Sequence, residues 1–382
     1  MQSKPTVHLI YFEAGGGHRS AAIALESVVA SKNYGWNVKL VNLQEVLDSL
    51  DVFRKITGVR MEDVYNLILA KGWTLGSAAL LPVMHGILRI YHSAQVELLT
   101  AFWRSQPPDM VVSLVPNFNR AMFEALRRGA PDAPFISILT DLADYPPHFW
   151  MESQPQYFVC GTHKAVEQAL NMGHPTQRVF QVSGMILRPQ FYEPQKPDRS
   201  AERLRLGLDP TLPTGLVLFG GEGSNVMFPI ANRLGNAPVD LQLIMICGRN
   251  QRLRQRLQSI KTRNKLFIEG FTKEIPYYMH LSDFFIGKPG PGSISESLKM
   301  NLPVIVERNS WTLPQERYNA EWVKEQGVGI VLDNFRKIEP TVANLLSDRR
   351  LDLMRHNIAC VDNRAVFEIP PILAKILAEH PL

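Results

Sequence analysis

The sequence predicts two doubly wound α/β domains in one chain, on three observations. At 382 residues it exceeds the usual size of a single domain. Short apolar runs alternate with stretches of helical periodicity along most of its length. Each half also opens in the same way, with an apolar run that breaks into glycines and then a helix.

The first opening is Val7-His8-Leu9-Ile10-Tyr11-Phe12, then Gly15-Gly16-Gly17, then a helical pattern from Ser20 to Ala30. Val38–Val41, Met110–Leu114, Phe135–Leu139 and Tyr157–Cys160 read as further strands, with helices at Arg120–Arg128 and Lys164–Asn171. Strands alternating with helices argue for a parallel sheet with right-handed crossovers. From Arg188 to Ser200 the pattern stops, and Pro189, Pro194 and Pro197 mark a linker. The second opening is Gly215–Phe219 followed by Gly220-Gly221-Glu222-Gly223, with strands expected at Leu243–Ile246, Leu266–Glu269, Phe284–Ile286 and Pro303–Val306. The expected organisation is therefore a domain over 1–187, a linker over 188–200 and a domain over 201–382. A terminal helix near 364–380 is expected to pack back on the first domain. Ligands of such domains bind outside the carboxyl ends of the strands, so the expected site is a cleft between the two.

Composition narrows the function. The chain is 45% hydrophobic and 20% charged, with a formal net charge of +5. That mild basicity suits an anionic ligand or an acidic membrane surface. No zinc-finger, basic-region or RNA-binding signature is present, so no nucleic-acid partner is expected. Cys160, Cys247 and Cys360 are far apart and form no CxxC pair, which fits a reducing compartment and excludes a thiolate metal site. The N-terminus has no signal-like apolar core, and no apolar run is long enough to span a bilayer. A cytoplasmic protein, peripheral on the inner face of the membrane, is the expectation. Residues 71–104 are dense in large apolar side chains, from Trp73 through Met84 and Tyr91 to Trp103. They read either as a buried helix pair or as an amphipathic, membrane-facing element.

Three motifs can carry chemistry. In Gly15-Gly16-Gly17-His18 the glycines let the backbone approach a ligand, and His18 at the following helix start could accept a proton from an attacking hydroxyl. The run is neither a dinucleotide fingerprint nor a P-loop. In Gly287-Lys288-Pro289-Gly290-Pro291-Gly292-Ser293-Ile294-Ser295-Glu296, glycines lead into a helix N-terminus that suits a diphosphate. Glu296 lies where a carboxylate can accept from both hydroxyls of a ribose. In Pro314-Gln315-Glu316-Arg317-Tyr318-Asn319, Gln315 and Glu316 offer donors and acceptors to sugar hydroxyls. Each motif also has a plain structural reading: a helix-start histidine, a capping glutamate, a solvated polar pair.

In this order and spacing the motifs resemble the monogalactosyldiacylglycerol synthase and processive diacylglycerol glucosyltransferase family. They are similar also to its relative, the lipid II-forming N-acetylglucosaminyltransferase of peptidoglycan synthesis. The Gly15–Ala22 run resembles the family's GGGHR-x-x-A segment. Thr140-Asp141-Leu142 with Trp150 resembles its TDL…W segment, and Gly270-Phe271-Thr272 its GF[VT] element. Lys288 with Gly290–Ser293 resembles KAGPGT, and Pro314-Gln315-Glu316 with Asn319 resembles PGQE..N. Two positions differ: Tyr145 stands where the family has a histidine, and Pro289 replaces a small residue.

The resemblance implies a GT-B fold, two facing Rossmann-like domains with an interdomain cleft, and an inverting, metal-independent hexosyl transfer from a UDP-sugar to a lipid-type acceptor such as diacylglycerol. The first domain would take the acceptor, with Gly16, Gly17, Tyr145 and Trp150 on that side. His18 would be the base, and Asp141 the next candidate. The second domain would hold the donor: Phe271 at the uracil; Gly292, Ser293 and Ile294 giving backbone N–H groups to the diphosphate; and Glu296 at the ribose. Gln315 and Glu316 would bind the hexose, and Gly220, Gly221 and Gly223 would allow close approach. Lys288, with Gly290 and Asn319 in the same motifs, would help neutralise the leaving group. No DxD motif is present, and no cofactor is expected; the UDP-sugar is a substrate. The alternatives are a UDP-sugar 2-epimerase on the same fold, a transferase to a soluble acceptor, and a non-catalytic UDP-sugar-binding protein.

Overall fold

A computed structural model describes residues 4–13, 16–48, 91–195, 197–347 and 349–380. Among these, one compact unit holds the residues up to Pro189 and those from Asn363 on, and a second holds Gln190–Asp362. Each is built on a six-stranded, wholly parallel sheet.

In the first unit the strands are β1 Thr6–Tyr11, β2 Asn37–Asn42, β3 Met110–Ser113, β4 Phe135–Ile138, β5 Tyr157–Cys160 and β6 Val179–Gln181, in the order β2-β1-β3-β4-β5-β6. Strands β3 and β4 are buried along their whole length, as expected where helices cover both faces of a parallel sheet. The helices are α1 Gly17–Ser31, α2 Leu43–Val46, α3 His92–Ser105, α4 Asn119–Gly129 and α5 His163–Asn171. Helix α4 buries Ala121, Met122, Ala125 and Leu126, spacings that put one apolar stripe on the sheet. Helix α3 buries Val96, Leu99 and Trp103 in the same core as Ile10, Val111 and Phe135. Trp103 is thus a core residue. The rest of the apolar 71–104 stretch, up to residue 90, lies outside the described residues. The C-terminal helix Ala365–Glu379 packs against α1 and buries Val366, Ile369, Leu373 and Ile376.

The second unit begins with α6 Arg199–Arg205, so a helix occupies the end of the segment expected to be a linker. Its Asp198 side chain caps it by accepting from the Ala201 amide. Arg203 is buried and donates to Asp283, which also accepts from Arg199 and from the Thr214 amide. That network anchors α6 to the base of the sheet. The strands are β7 Thr214–Leu218, β8 Gln242–Ile246, β9 Lys265–Glu269, β10 Phe284–Gly287, β11 Val304–Glu307 and β12 Gly329–Leu332, in the order β12-β11-β10-β7-β8-β9. The helices that follow are α7 Met227–Gly235, α8 Gln251–Gln258, α9 Ile275–His280, α10 Pro291–Lys299, α11 Arg317–Glu325, α12 Ile338–Leu346 and α13 Arg350–Ala359.

Both strand orders reverse direction once, between β1 and β3 in the first unit and between β7 and β10 in the second. At such a switch point the loops leaving adjacent strands part and open a crevice for ligands. The described residues of the candidate motifs follow the carboxyl ends of β1, β4, β7, β9, β10 and β11. Among the described residues no helix is long and apolar enough to cross a membrane. Cys160 and Cys247 are buried, and burial pushes their thiols up to about 12 and about 11; Cys360 is exposed.

Candidate active site

In the first unit, Gly16 caps α1 in the left-handed region, with φ of 76°, a conformation that glycine adopts without strain. A Cβ at Gly16 or Gly17 would meet none of the described residues within 4 Å, so among these the space beside the turn is open. His18 follows in the first turn of α1. Its Nδ1 lies 3.1 Å from Thr140 Oγ1, at the carboxyl end of β4. Burial pushes the His18 pKa down to about 4, with the Leu114 backbone acting weakly the other way. The imidazole is therefore neutral near pH 7, the form a general base needs.

Thr140 is joined to a second layer. Asp141 is buried and accepts from the Trp150 indole Nε1 at 2.9 Å. The Trp150 ring, fully buried, has its centroid 6.2 Å from that of His18. Asp144 accepts from the amides of Trp150 and His148 at 2.6 and 3.0 Å, and burial raises its pKa. The Trp150 carbonyl accepts from Asn119 Nδ2 at 3.0 Å. Asp141 and Trp150 thus brace the wall behind His18. Tyr145, half-buried, precedes Pro146 across a cis peptide bond. Thr140, Asp144 and Asn119 do not stand out as site residues in the sequence; only the Thr140-Asp141-Leu142 string hints at the first.

In the second unit the loops after β7 and β10 meet at the switch point. Lys288 Nζ donates to Glu316 Oε1 at 2.7 Å, and the Glu316 side chain is buried. Gly290 sits between them: a Cβ there would lie 3.4 Å from Lys288 Cε and 3.6 Å from Glu316 Oε1. Gly220, at φ of 79°, comes within 4.0 Å of Lys288 Cε by the same construction. Sequence-distant Gly220, Lys288, Gly290 and Glu316 are thereby brought together.

Helix α10 starts at Pro291, and its own ladder begins with Ile294 N–H donating to Gly290 O at 3.0 Å. This corrects the expectation for Ile294: its amide is consumed by the helix and its side chain is buried. Proline has no N–H, so Gly292 and Ser293 carry the amides the helix leaves for an anion. A Cβ on Gly292 would meet none of the described residues within 4 Å. Glu296, half-buried, lies one turn further along α10. Gln315 and Glu316 lie in a short 3-10 turn before α11. Asn319 is fully buried and donates to the Pro289 carbonyl at 2.9 Å, so it holds the Lys288–Gly290 turn in place.

Gly223 answers to a local need. A Cβ there would fall 2.3 Å from the Cys247 carbonyl oxygen, where the β7 and β8 loops cross. Gly221 accepts from the Arg249 amide at 2.8 Å. The Arg249 guanidinium pairs with Glu222 at 2.6 Å and lies 4.6 Å from the centre of the Phe271 ring. Phe271 is 50% exposed, an aromatic face left open at the end of β9.

Two six-stranded parallel sheets, each with its glycine-bearing switch point, are the elements of the GT-B fold, and known structures share it. MurG of Acinetobacter baumannii matches with a TM-score of 0.59 at 11% identity, over 97% of this chain and 99% of that one. The S. aureus MnaA–UDP structure matches at 0.58 and 16% identity, over 95% and 92%. Residues 223–357 match the glycosyltransferase family 28 C-terminal domain. The chain is 27% identical to the chloroplastic monogalactosyldiacylglycerol synthase of Spinacia oleracea, over 93% of its own length and 69% of that protein's. It is a hexosyltransferase homologous to the monogalactosyldiacylglycerol synthases.

Proposed function

We propose that the chain transfers a hexose from a UDP-sugar to a hydroxyl of a lipid-type acceptor such as diacylglycerol, with inversion to a β-glycoside. The observation that carries the donor half is the turn between β10 and α10, where two unconsumed amides and Lys288 converge at a switch point. A diphosphate there is neutralised by the amide pair and by Lys288, which supply the positive charge that a metal supplies in other transferases. Phe271 takes the uracil on its open face, Glu296 the ribose, and Gln315 and Glu316 the hexose. The lipid acceptor is supported by the relatives, whose name states a monogalactosyldiacylglycerol product.

His18 is the base. Its neutral imidazole takes the acceptor hydroxyl's proton while that oxygen attacks the anomeric carbon from the face opposite the leaving UDP. One C–O bond forms as the other breaks, so an α-linked donor gives a β-linked product. The residues that support His18 are Thr140 directly and Asp141 through Trp150.

The test is a transfer assay with radiolabelled UDP-galactose, UDP-glucose or UDP-N-acetylglucosamine, each with diacylglycerol dispersed in detergent. Label in the lipid fraction with β configuration supports the reading. Turnover of a UDP-sugar without acceptor points to an epimerase, and transfer only to water-soluble alcohols removes the lipid half.

A further inference from the structure

A second cation borders the donor loops. Arg249 follows β8, and its backbone is fixed from both sides. Its N–H donates to the Gly221 carbonyl at 2.8 Å, and a Cβ on Gly248 would fall 2.2 Å from that same oxygen. On the other side, Asn250 caps α8 by accepting from the Leu253 amide at 3.0 Å. The β7 and β8 loops are thus pressed together, backbone on backbone, and the Arg249 side chain emerges from that crossing.

The guanidinium meets three groups. Its Nη1 lies 3.7 Å from where a Cβ on Gly221 would sit. The same nitrogen donates to Glu222 Oε1 at 2.6 Å. The central carbon lies 4.6 Å from the centre of the Phe271 ring, so it covers one face of that half-exposed aromatic.

These contacts join into a path. From Phe271 it runs through Arg249 to Gly221, then through Gly220 to Lys288, and on to Gly290 at the start of α10. A nucleoside diphosphate with its base on Phe271 and its phosphates at the Gly292 and Ser293 amides has to cross the Gly220–Gly221 turn. Neither glycine projects a side chain there, and a cation flanks the turn on each side. Each cation is held by a carboxylate, Lys288 by Glu316 and Arg249 by Glu222. The two pairs differ in burial. The Glu316 side chain is 9% exposed, whereas those of Arg249 and Glu222 are 61% and 37% exposed. An exposed pair is worth little, so a diphosphate can displace the carboxylate from the planar, five-donor guanidinium.

We propose that Arg249 exchanges Glu222 for the diphosphate when the donor binds, and that Glu222 is an internal competitor that takes the guanidinium back as UDP leaves. The inference rests on the donor site proposed above. It adds a second cation to the leaving group, and a carboxylate whose effect on affinity has a distinctive sign. Removing the partner of a structural ion pair weakens a site; removing a competitor strengthens it. Glu222 touches no reacting atom and acts through Arg249, as a positioning residue.

The experiment is calorimetric titration of the full chain with UDP, for wild type, Glu222→Gln, Arg249→Gln and the double variant, each first checked for a wild-type melting temperature. Arg249→Gln should weaken UDP binding about tenfold, as expected for loss of a charge-assisted hydrogen bond. Glu222→Gln should tighten it about two- to fivefold, the scale of an exposed ion pair. In the Arg249→Gln background the same glutamate change should have almost no effect. Uridine, which has no phosphate, should bind all four proteins alike. Weaker UDP binding in Glu222→Gln makes the pair a structural brace and overturns the exchange. So does an equal gain in both backgrounds, which makes Glu222 a direct repeller of the diphosphate. Loss of uridine affinity in Arg249→Gln puts the guanidinium on the base and overturns it too. If the wild type does not bind UDP, the donor reading itself fails; if it binds and all four proteins are alike, only the exchange fails.

Discussion

The two switch points use opposite materials. Around His18 in the first unit the work is done by side chains: Thr140 touches the imidazole, Asp141 fixes Trp150, and Asp144 and Asn119 fix the backbone beside it. Around Lys288 in the second unit it is done by backbone and by missing side chains: two amides at a helix start, the side-chain-free Gly292, and the Lys288–Glu316 ion pair. The first arrangement suits a group that must keep one protonation state and one orientation. The second suits a bulky anion that must enter and leave.

If that division holds, mutation should separate chemistry from binding. His18→Ala should lower kcat by about 10²–10⁴-fold while leaving the Kd for UDP nearly unchanged. The wild-type profile of kcat/KM carries a sign as well. The base must be unprotonated and its pKa is held at about 4, so activity should be kept down to about pH 5 and lost as pH falls through about 4. Steady-state kinetics across pH, with calorimetry for UDP, checks both. Turnover close to wild type in the alanine variant would make His18 a structural residue.

A control lies in the same sheet. His8, in the middle of β1, is fully buried, and neither ring nitrogen has a hydrogen-bond partner among the described residues. Burial, with a smaller contribution from Lys39 and against Asp109, lowers its pKa from 6.5 to about 4, the same value as His18. Its folded-state pKa lies below the unfolded one, so the unfolded chain binds the proton first. Stability should fall as pH drops from about 6.5 towards 4, by about 3 kcal/mol at most. His8→Leu should remove the His8 share of the acid loss, leaving the equal share that the same linkage assigns to His18, and keep kcat intact, seen as a smaller drop in urea midpoint from pH 7 to pH 5 than in the wild type. An identical pH dependence in the variant would mean that His8 is not the group titrating. A low histidine pKa is thus not by itself the mark of a site; what sets His18 apart is the open turn beside it.

On the donor side the expected effect is smaller and appears in affinity. Glu296→Ala should weaken UDP binding by about 1.5–3 kcal/mol, the range for hydrogen bonds to a charged group. Unchanged affinity in a folded variant would move the ribose elsewhere.

The same contrast governs what can be read from the amino-acid string. Backbone-built sites announce themselves, because glycines and a helix start are contiguous: Gly287–Glu296 is legible as a phosphate turn from its residues alone. So are the central strands, whose apolar runs are buried on both faces. The edge strands β6 and β12 escape such a reading, since Val179–Gln181 and Gly329–Leu332 are short and largely half-buried. Side-chain networks hide for another reason. Thr140 meets His18 across 122 positions and Lys288 meets Glu316 across 28, distances that no local pattern encodes. Asn319 shows the same limit: a polar residue in a sugar-binding motif is buried and braces Pro289.

The finest test concerns the contact between His18 and Thr140. The Thr140 hydroxyl can accept from Nδ1–H or donate to a bare Nδ1, and only the first leaves Nε2 with the lone pair that takes the substrate's proton. Thr140→Val keeps the shape and removes the hydroxyl. A neutral hydrogen bond is worth about 0.5–1.5 kcal/mol, so kcat should fall roughly two- to tenfold. Affinity for UDP should not move, because Thr140 belongs to the other switch point. Thr140→Ser restores the hydroxyl and should restore most of the rate. A serine variant as slow as the valine variant would place the effect in packing of the lost methyl. A valine variant weakened in UDP binding would break the division of labour between the two sites.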